Sequence, residues 1–304
     1  MLEKTQSTEI ENIYNRNKNK YILEKVSKNI FFISSLIAVL SLLLIIGFVF
    51  YKGLTPFIFK GYSFIDFFTG SDWLPGSDKF GIATMVVASI VATVGALIIG
   101  VPIGILTAVF IAEVAPKKVA KIISPAVELL AGIPSVLYGI FGLAVIVPNI
   151  QNIFNLPKGQ SLLAVIIVLS IMMLPTIISL SETAIRAVPK AYKEGSLALG
   201  ASKIETIFKV VLPAAKSGIL AAVVLGIGRA LGETMAVILV AGNSPVIPSS
   251  LMDSVRPLTT NIALEMGYAF GIHQEMLFAT GVVLFSFILI LNLVINKIAN
   301  KAGK

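Results

Sequence analysis

An arginine and a glutamate lie inside one of the apolar segments of this chain. Residues 217–243 carry Arg229 and Glu233 and no other charged side chain. A charge near the centre of a bilayer costs at least ~2.5–3.5 kcal/mol, so we expect both to face a helix-bundle interior or a wet cavity. On a continuous helix, residues four apart lie on one face, where a cation and a carboxylate can pair.

This pair has a structural and a functional interpretation. The structural one is a buried ion pair that fixes helix packing. The functional one is a path for anions, because a guanidinium is permanently charged and its planar donors match oxyanions such as phosphate. A carboxylate competing for Arg229 would keep an anion from binding too tightly. Intramembrane ionisable residues are functional by default, so we favour the anion path. Glu128 is a weaker candidate for it, because it lies near the cytoplasmic end of its own predicted span.

A polar segment, residues 182–216, contains a second pattern. It predicts a short helix with a close-contact face followed by a glycine turn. The run consists of Glu194, Gly195, Ser196, Leu197, Ala198, Leu199 and Gly200, and Val210-Val211-Leu212-Pro213 follows after nine residues. Pro213 falls near the start of the next span, a position that tolerates proline. Five apolar side chains offer a surface for a partner: Leu197, Leu199, Ile204, Ile207 and Phe208.

The same segment imitates a nucleotide-binding loop. Gly195, four residues and Gly200-Ala201-Ser202 match the glycine spacing of a P-loop, but Ala201 stands where the phosphate-binding Lys is required. We therefore expect no nucleotide site in this chain, and any ATP must be bound by another subunit. The chain has no Cys and a single His, His273, which excludes thiolate chemistry and multi-His metal sites.

The elements that carry these residues are membrane spans. Hydrophobic residues make up 56% of the 304 and charged residues 13%, too few for the surface of a soluble protein. Long uncharged runs predict an all-α integral membrane protein with six transmembrane helices. The predicted spans are 30–51, 82–112, 122–150, 161–181, 217–243 and 276–296. Residues 81–298 would form the core domain, after a leader (1–29), an anchor helix (30–51) and an external loop (52–80), and before a tail (299–304).

The positions of Lys and Arg predict the orientation. Eighteen lie in the leader, in the links after the second and fourth spans, and in the tail, against five on the other side. This asymmetry places both termini in the cytoplasm. The net charge of +8 then reflects topology rather than a nucleic-acid partner.

We expect the first span to be retained as an anchor. The aromatic residues of the loop 52–80 predict an interfacial belt or, as the alternative, a docking surface for an external partner.

Glycine and proline interrupt two of the spans. Gly100, Pro102 and Gly104 lie in the second, and Gly132 and Pro134 in the third. Small residues four apart allow close helix packing in lipid, and proline bends a helix. Packing alone accounts for each glycine singly, whereas together they suit a bundle that moves or lines a path.

The segment that begins at Glu194 resembles the EAA loop of permease subunits in binding-protein-dependent (type I) ABC importers, written E-A-A-x3-G-x9-I-x-L-P. The spacing agrees across 20 positions; Gly195 and Ser196 replace the alanines, and Val210 the isoleucine. Residues 128–136, 228–237 and 66–73 are most similar to the phosphate-transport permeases called PstC. The resemblance runs from about Phe64 to the end of the chain.

This resemblance implies a multi-pass subunit of the cell membrane that imports phosphate by alternating access. Glu194–Gly200 would form the coupling helix, seated in a groove of the ATPase. Arg229 and Glu233 would line the path at an interface with a PstA-like second permease. A PstB-like ATPase dimer would hold ATP and Mg, and a PstS-like extracytoplasmic protein would deliver phosphate. This chain would itself be no enzyme and bind no cofactor.

Three alternatives remain open. The substrate of the permease could be another oxyanion, since the chemistry of the residues specifies only that class. The chain could be a self-sufficient ion-coupled anion transporter with Glu233 as its proton carrier. An intramembrane hydrolase is the least favoured, because no second carboxylate or paired His supports an acid–base or metal site.

Overall fold

Long apolar helices dominate the part of the chain that the structure describes. The computed structural model describes the backbone of residues 2–302 and the side chains of residues 20, 21, 23–294 and 297. Within these residues, six helical segments are long and apolar enough to cross a membrane, which confirms the predicted all-α bundle of six spans. They are Leu23–Phe59, Ala83–Val114, Ser135–Ile153, Leu162–Arg186, Lys203–Gly232 and Ile272–Val294. The chain divides into two units, residues 1–52 and 53–304.

The first unit belongs to one long helix. Helix α1 (Leu2–Phe59) extends through this unit and into the second. Its apolar part has no charged residue from Ile30 to Tyr51, and Lys28 and Lys52 stand just outside that run. A run of this length is long enough to cross the hydrocarbon core of a bilayer.

The region 52–80, predicted as a loop, contains the end of α1 and then a small folded element. Helix α2 (Phe64–Thr69) precedes two short antiparallel strands, β1 (Trp73–Leu74) and β2 (Lys79–Phe80), in which Trp73 lies opposite Phe80. Trp73 and Phe80, together with Phe67 of α2, belong to a buried cluster with residues of α3, α12 and α13, whose bounds are given below. Burial of these rings explains why the segment folds rather than remaining a flexible connection.

The next helices are interrupted. Helix α3 (Ala83–Val109), which contains Pro102, continues into a π-helical turn (Phe110–Val114). Helices α4 (Lys117–Ala131) and α5 (Ser135–Phe141) follow. A second π-helical turn (Gly142–Ile146) then leads into α6 (Val147–Ile153).

The third span is therefore shorter than the predicted 122–150. Gly132 caps α4, and Pro134 directly precedes α5, so the two residues stand in a break between the helices. Proline disfavours helical backbone in the residue before it, which explains why the helix stops there. The apolar segment capable of spanning begins at Ser135, after this break.

Helix α7 (Leu162–Arg186) is the most buried of the six spans, and α3 packs along it. The two helices approach closely at glycines. A Cβ atom at Gly100 would lie 2.7 Å from Met173 Sδ, and one at Gly104 would lie 2.7 Å from Ile177 Cγ2. The absence of a side chain at these positions is what permits this separation. A hinge role for either glycine stays a prediction.

Replacing Gly104 with Leu is expected to destabilise the packing of α3 on α7. The new side chain would have to displace Ile177, and overpacking of this kind costs about 1–3 kcal/mol. A lower midpoint of thermal unfolding in detergent would show this effect. Gly267 is a suitable control site, because a Cβ atom there would meet open space, with no neighbouring atom within 4 Å. An unchanged midpoint for Gly104→Leu would contradict tight packing at this crossing.

The remaining helices complete the bundle. Helices α8 (Lys190–Ala198) and α9 (Lys203–Thr206) lie in the segment 182–216. A third π-helical turn (Ile207–Val211) joins α9 to α10 (Leu212–Gly232), whose first turn contains Pro213. Helix α10 packs along α7 on its way through the bundle. The chain ends with α11 (Met235–Val240), α12 (Leu258–Glu265) and α13 (Ile272–Ala302).

Candidate functional site

The fifth span breaks at Glu233. Helix α10 ends at Gly232, and Glu233 adopts extended backbone angles (φ −71°, ψ 132°). Its carboxylate accepts a hydrogen bond from the N–H of Ala236, 3.1 Å away, in the first turn of α11. Thr259 Oγ1 of α12 donates to the backbone oxygen of Glu233 at 2.9 Å. The prediction of one continuous helix through 217–243 is therefore wrong.

Arg229 and Glu233 do not form the predicted ion pair. Among the described side chains, no carboxylate oxygen lies within 4.0 Å of the Arg229 guanidinium. The pairing argument required helical backbone from 229 to 233, and the extended residue at 233 removes that geometry. A structural ion pair is thus not what holds Arg229 in the membrane.

Among the described residues, Arg229 has one hydrogen-bond partner. The guanidinium is half-buried, and its Nη1 donates a long 3.4 Å hydrogen bond to Thr176 Oγ1 of α7. It also lies close enough to Tyr138 of α5 for an electrostatic interaction. The hydroxyl of Tyr138 donates to the backbone oxygen of Leu130 at 2.7 Å, across the break between α4 and α5. This positive charge lies among three helices and makes one hydrogen bond within the described part of the chain, so it can bind an oxyanion.

Glu128 does not lie inside the third span. It is an exposed residue of α4, and the segment able to span begins at Ser135. The prediction placed it near the cytoplasmic end of a span 122–150, whereas the break at 132–134 separates α4 from the segment able to span. The structure does not bring Glu128 to Arg229 by any described contact.

The segment at Glu194 forms a short exposed helix. Glu194, Gly195, Leu197 and Ala198 lie on the exposed surface of α8, and Ser196 Oγ shares a 3.0 Å hydrogen bond with Thr206 Oγ1. Gly200 has φ +88°, the left-handed conformation that favours glycine after a helix. Ser202 then caps α9, and Glu205 reciprocates in a capping box.

The apolar surface of this segment is smaller than the sequence predicts. Leu197, Leu199, Ile204 and Phe208 are exposed, and Leu199 is 91% exposed. Ile207 is instead buried in a cluster with side chains of α7 and of the π-helical turn after α3. The wide turn at 207–211 rotates Ile207 inward, so it cannot contribute to a docking surface.

A buried polar cluster around Glu265 was not foreseen from the sequence. One carboxylate oxygen of Glu265 accepts from Trp73 Nε1 at 2.7 Å and contacts His273 Nε2 at 2.8 Å. The other oxygen accepts from Arg256 Nη1 at 2.8 Å. Burial, with a smaller contribution from the Glu265 charge, raises the pKa of the neighbouring Tyr268 hydroxyl. Arg256, Glu265, Tyr268 and His273 lie within residues 256–273, whereas Trp73 comes from β1, so no spacing in the sequence marks Trp73 as a member of the group.

Comparison with known proteins identifies the type of chain. Residues 100–303 match the family model described as "Binding-protein-dependent transport system inner membrane component". The chain belongs to this family. It is therefore a permease subunit of an ABC importer and a multi-pass protein of the inner membrane.

Individual relatives of this permease cover most of its length. The probable ABC transporter permease protein YqgH of Bacillus subtilis (strain 168) is 44% identical over 246 residues, 79% of this chain and 80% of that protein. The phosphate transport system permease protein PstC of Mesorhizobium japonicum is 36% identical over 245 residues, 74% of each chain. PstC of Haemophilus influenzae is 36% identical over 255 residues, 76% of this chain and 81% of that one.

Solved transporters share the fold. A chain of the inward-facing MetNI methionine ABC transporter aligns with a TM-score of 0.55 and 21% identity, over 74% of this chain and 95% of that one. A chain of a bacterial ABC transporter for the acidic polysaccharide alginate aligns with a TM-score of 0.60 and 19% identity, over 88% and 96%. At these identities the likeness concerns the fold of type I importer permeases and not the substrate.

Proposed function

We propose that this permease moves inorganic phosphate into the cell. The observation that carries the proposal is the Arg229 guanidinium, which lies beside the break in the fifth span with no carboxylate partner among the described residues. A fixed cation with free donors suits a tetrahedral oxyanion that must bind and then leave. The PstC relatives support phosphate within that class, although the name of YqgH states no substrate.

The proposed cycle needs three kinds of partner. A PstA-like second permease completes the path, a PstB-like ATPase dimer hydrolyses ATP, and a PstS-like extracytoplasmic protein delivers phosphate. Helix α8 and the turn at Gly200 would transmit the closing movement of the ATPase. In support of this role, α8 contributes no buried side chain and presents Leu197 and Leu199 to the surroundings.

Transport by the reconstituted complex tests the substrate and the energy source together. With ATP on the ATPase side and the binding protein on the other, we expect uptake of radiolabelled phosphate that an excess of sulfate does not suppress. Uptake of sulfate in place of phosphate would assign another oxyanion to this permease. Uptake by this chain alone, driven by a proton gradient without ATP, would favour an ion-coupled transporter with Glu233 as proton carrier.

A further inference from the structure

Helix α8 has few connections to the spans that precede it. It contributes no buried side chain, and the elements on which it packs most extensively are α9 and the π-helical turn Ile207–Val211. A helix that must pass movement to the bundle needs a firm attachment to the spans. In the described part of the chain, a single side-chain hydrogen bond or ion pair links α8 to a helix before it.

That link joins Lys193 of α8 to Glu113. The Lys193 ammonium forms an ion pair with the Glu113 carboxylate, 80 residues away in the sequence. The two side chains are 24% and 12% exposed, so both are largely withdrawn from water. A partly desolvated ion pair is screened less by salt than a surface pair, and removal of one partner leaves the other charge uncompensated.

Glu113 belongs to a turn that is held from a second side. It lies in the π-helical turn Phe110–Val114 that ends α3. Arg186, at the end of α7, donates from Nη2 to the backbone oxygen of Ile111 in the same turn at 3.2 Å. Its Nε donates to Glu182 Oε1 at 2.9 Å, and Glu182 in turn accepts from the Ser124 hydroxyl of α4.

We propose that the Lys193–Glu113 ion pair is the tie through which movement of α8 reaches the transmembrane helices that precede it. This inference rests on the proposed function, in which α8 receives the movement of the ATPase. The tie acts at the end of α3, and the Arg186 contacts spread the displacement to α7 and α4. Lys193 and Glu113 are positioning residues: neither touches substrate or nucleotide in this scheme.

The test uses the assembled importer in proteoliposomes and measures phosphate imported per ATP hydrolysed. Lys193→Glu and Glu113→Lys place like charges together, and each is expected to lower this ratio roughly tenfold, the size of a typical coupling between contacting groups. The double variant K193E/E113K restores opposite charges and should recover the ratio to within about threefold of wild type. Lys193→Arg keeps the positive charge, and its ratio should also be within about threefold of wild type.

Lys118→Glu is the matched control, because it makes the same change at an exposed position outside α8 and should leave the ratio unchanged. Equal losses of import and hydrolysis in Lys193→Glu, with the ratio unchanged, would assign the pair a merely structural role and overturn the proposal. Failure of the double variant to exceed the single variants would also overturn it. Where Lys193→Glu does not assemble, Lys193→Met and Glu113→Gln take its place with the same expected loss.

The same experiment separates this inference from the proposed function. Lack of phosphate import by the wild-type complex would refute phosphate as substrate. The ratio would then be measured with sulfate or another oxyanion that the complex does import. A lower ratio of anion imported to ATP hydrolysed in the single variants, together with its recovery in the double variant, would support the tie whichever anion is carried.

Discussion

Replacing Arg229 with Gln is expected to lower ATP-driven phosphate import roughly hundredfold or more, since truncating one partner of a desolvated charge contact costs about 2–5 kcal/mol. The half-buried guanidinium has one described hydrogen bond, to Thr176 Oγ1. A Gln side chain retains some of the volume but neither the charge nor the planar set of donors. The initial rate of radiolabelled phosphate uptake measures the effect, with membrane level and complex assembly checked in parallel.

Two further variants show whether charge, geometry or packing is responsible. Arg229→Lys keeps the charge without the planar donors and should retain partial import, about tenfold below wild type. Glu233→Gln keeps a side-chain oxygen able to accept from the Ala236 N–H and should stay close to wild type. Wild-type uptake by Arg229→Gln would reduce Arg229 to a packing contact with Thr176. An equal loss in Glu233→Gln would favour proton-coupled transport.

The number of spans could be predicted because it depends only on the number of apolar runs long enough to cross a bilayer. A run such as Ile30–Tyr51 has no charged residue, and in lipid a helix satisfies every backbone hydrogen bond of such a run. The glycine run around Gly100 and Gly104 could likewise be associated with close helix packing, and both residues do lie against α7. These are local properties that a single segment determines.

The geometry of the candidate site could not be predicted in the same way. The spacing of Arg229 and Glu233 indicates a pair only where the helix is continuous, and the break at Glu233 depends on distant residues. Thr259, which donates to the backbone oxygen of Glu233, lies 26 residues further along the chain. The carboxylate of Glu233, which was expected to contact Arg229, instead accepts a hydrogen bond from the N–H of Ala236. The hydropathy of residues 217–243 gives no sign of either contact, because the residues on both sides of the break are mostly apolar.

The polar contacts between helices could not be predicted from the sequence for a related reason. Glu113 follows the uncharged run 82–112 and Lys193 lies in the polar segment 182–216, and only the tertiary fold joins them. The Glu265 cluster likewise depends on Trp73, which is buried by the unforeseen strand pair β1–β2. Sequence patterns within one element cannot specify which charged residue of another element it will meet.

Reversing the charge of Glu194 is expected to abolish import by separating the permease from its ATPase. Glu194 is exposed on α8, one turn from Leu197 and close to Leu199, and both leucines are also exposed. If this surface enters a groove of the ATPase, a Lys at 194 puts a wrong charge at the contact, and like-charge juxtaposition costs several kcal/mol. Uptake of radiolabelled phosphate and recovery of ATPase subunits with the purified permease would both fall to background.

The recovered ATPase distinguishes docking from transmission. Glu194→Lys should lose the ATPase itself, whereas Lys193→Glu should retain it and lose only phosphate imported per ATP hydrolysed, because Lys193 contacts Glu113 within the same chain. Glu24→Lys, at an exposed carboxylate of α1, controls for charge reversal as such and should leave recovery unchanged. Full recovery of the ATPase together with wild-type import by Glu194→Lys would show that α8 is not the contact, and the transmitting surface would have to lie elsewhere on the permease.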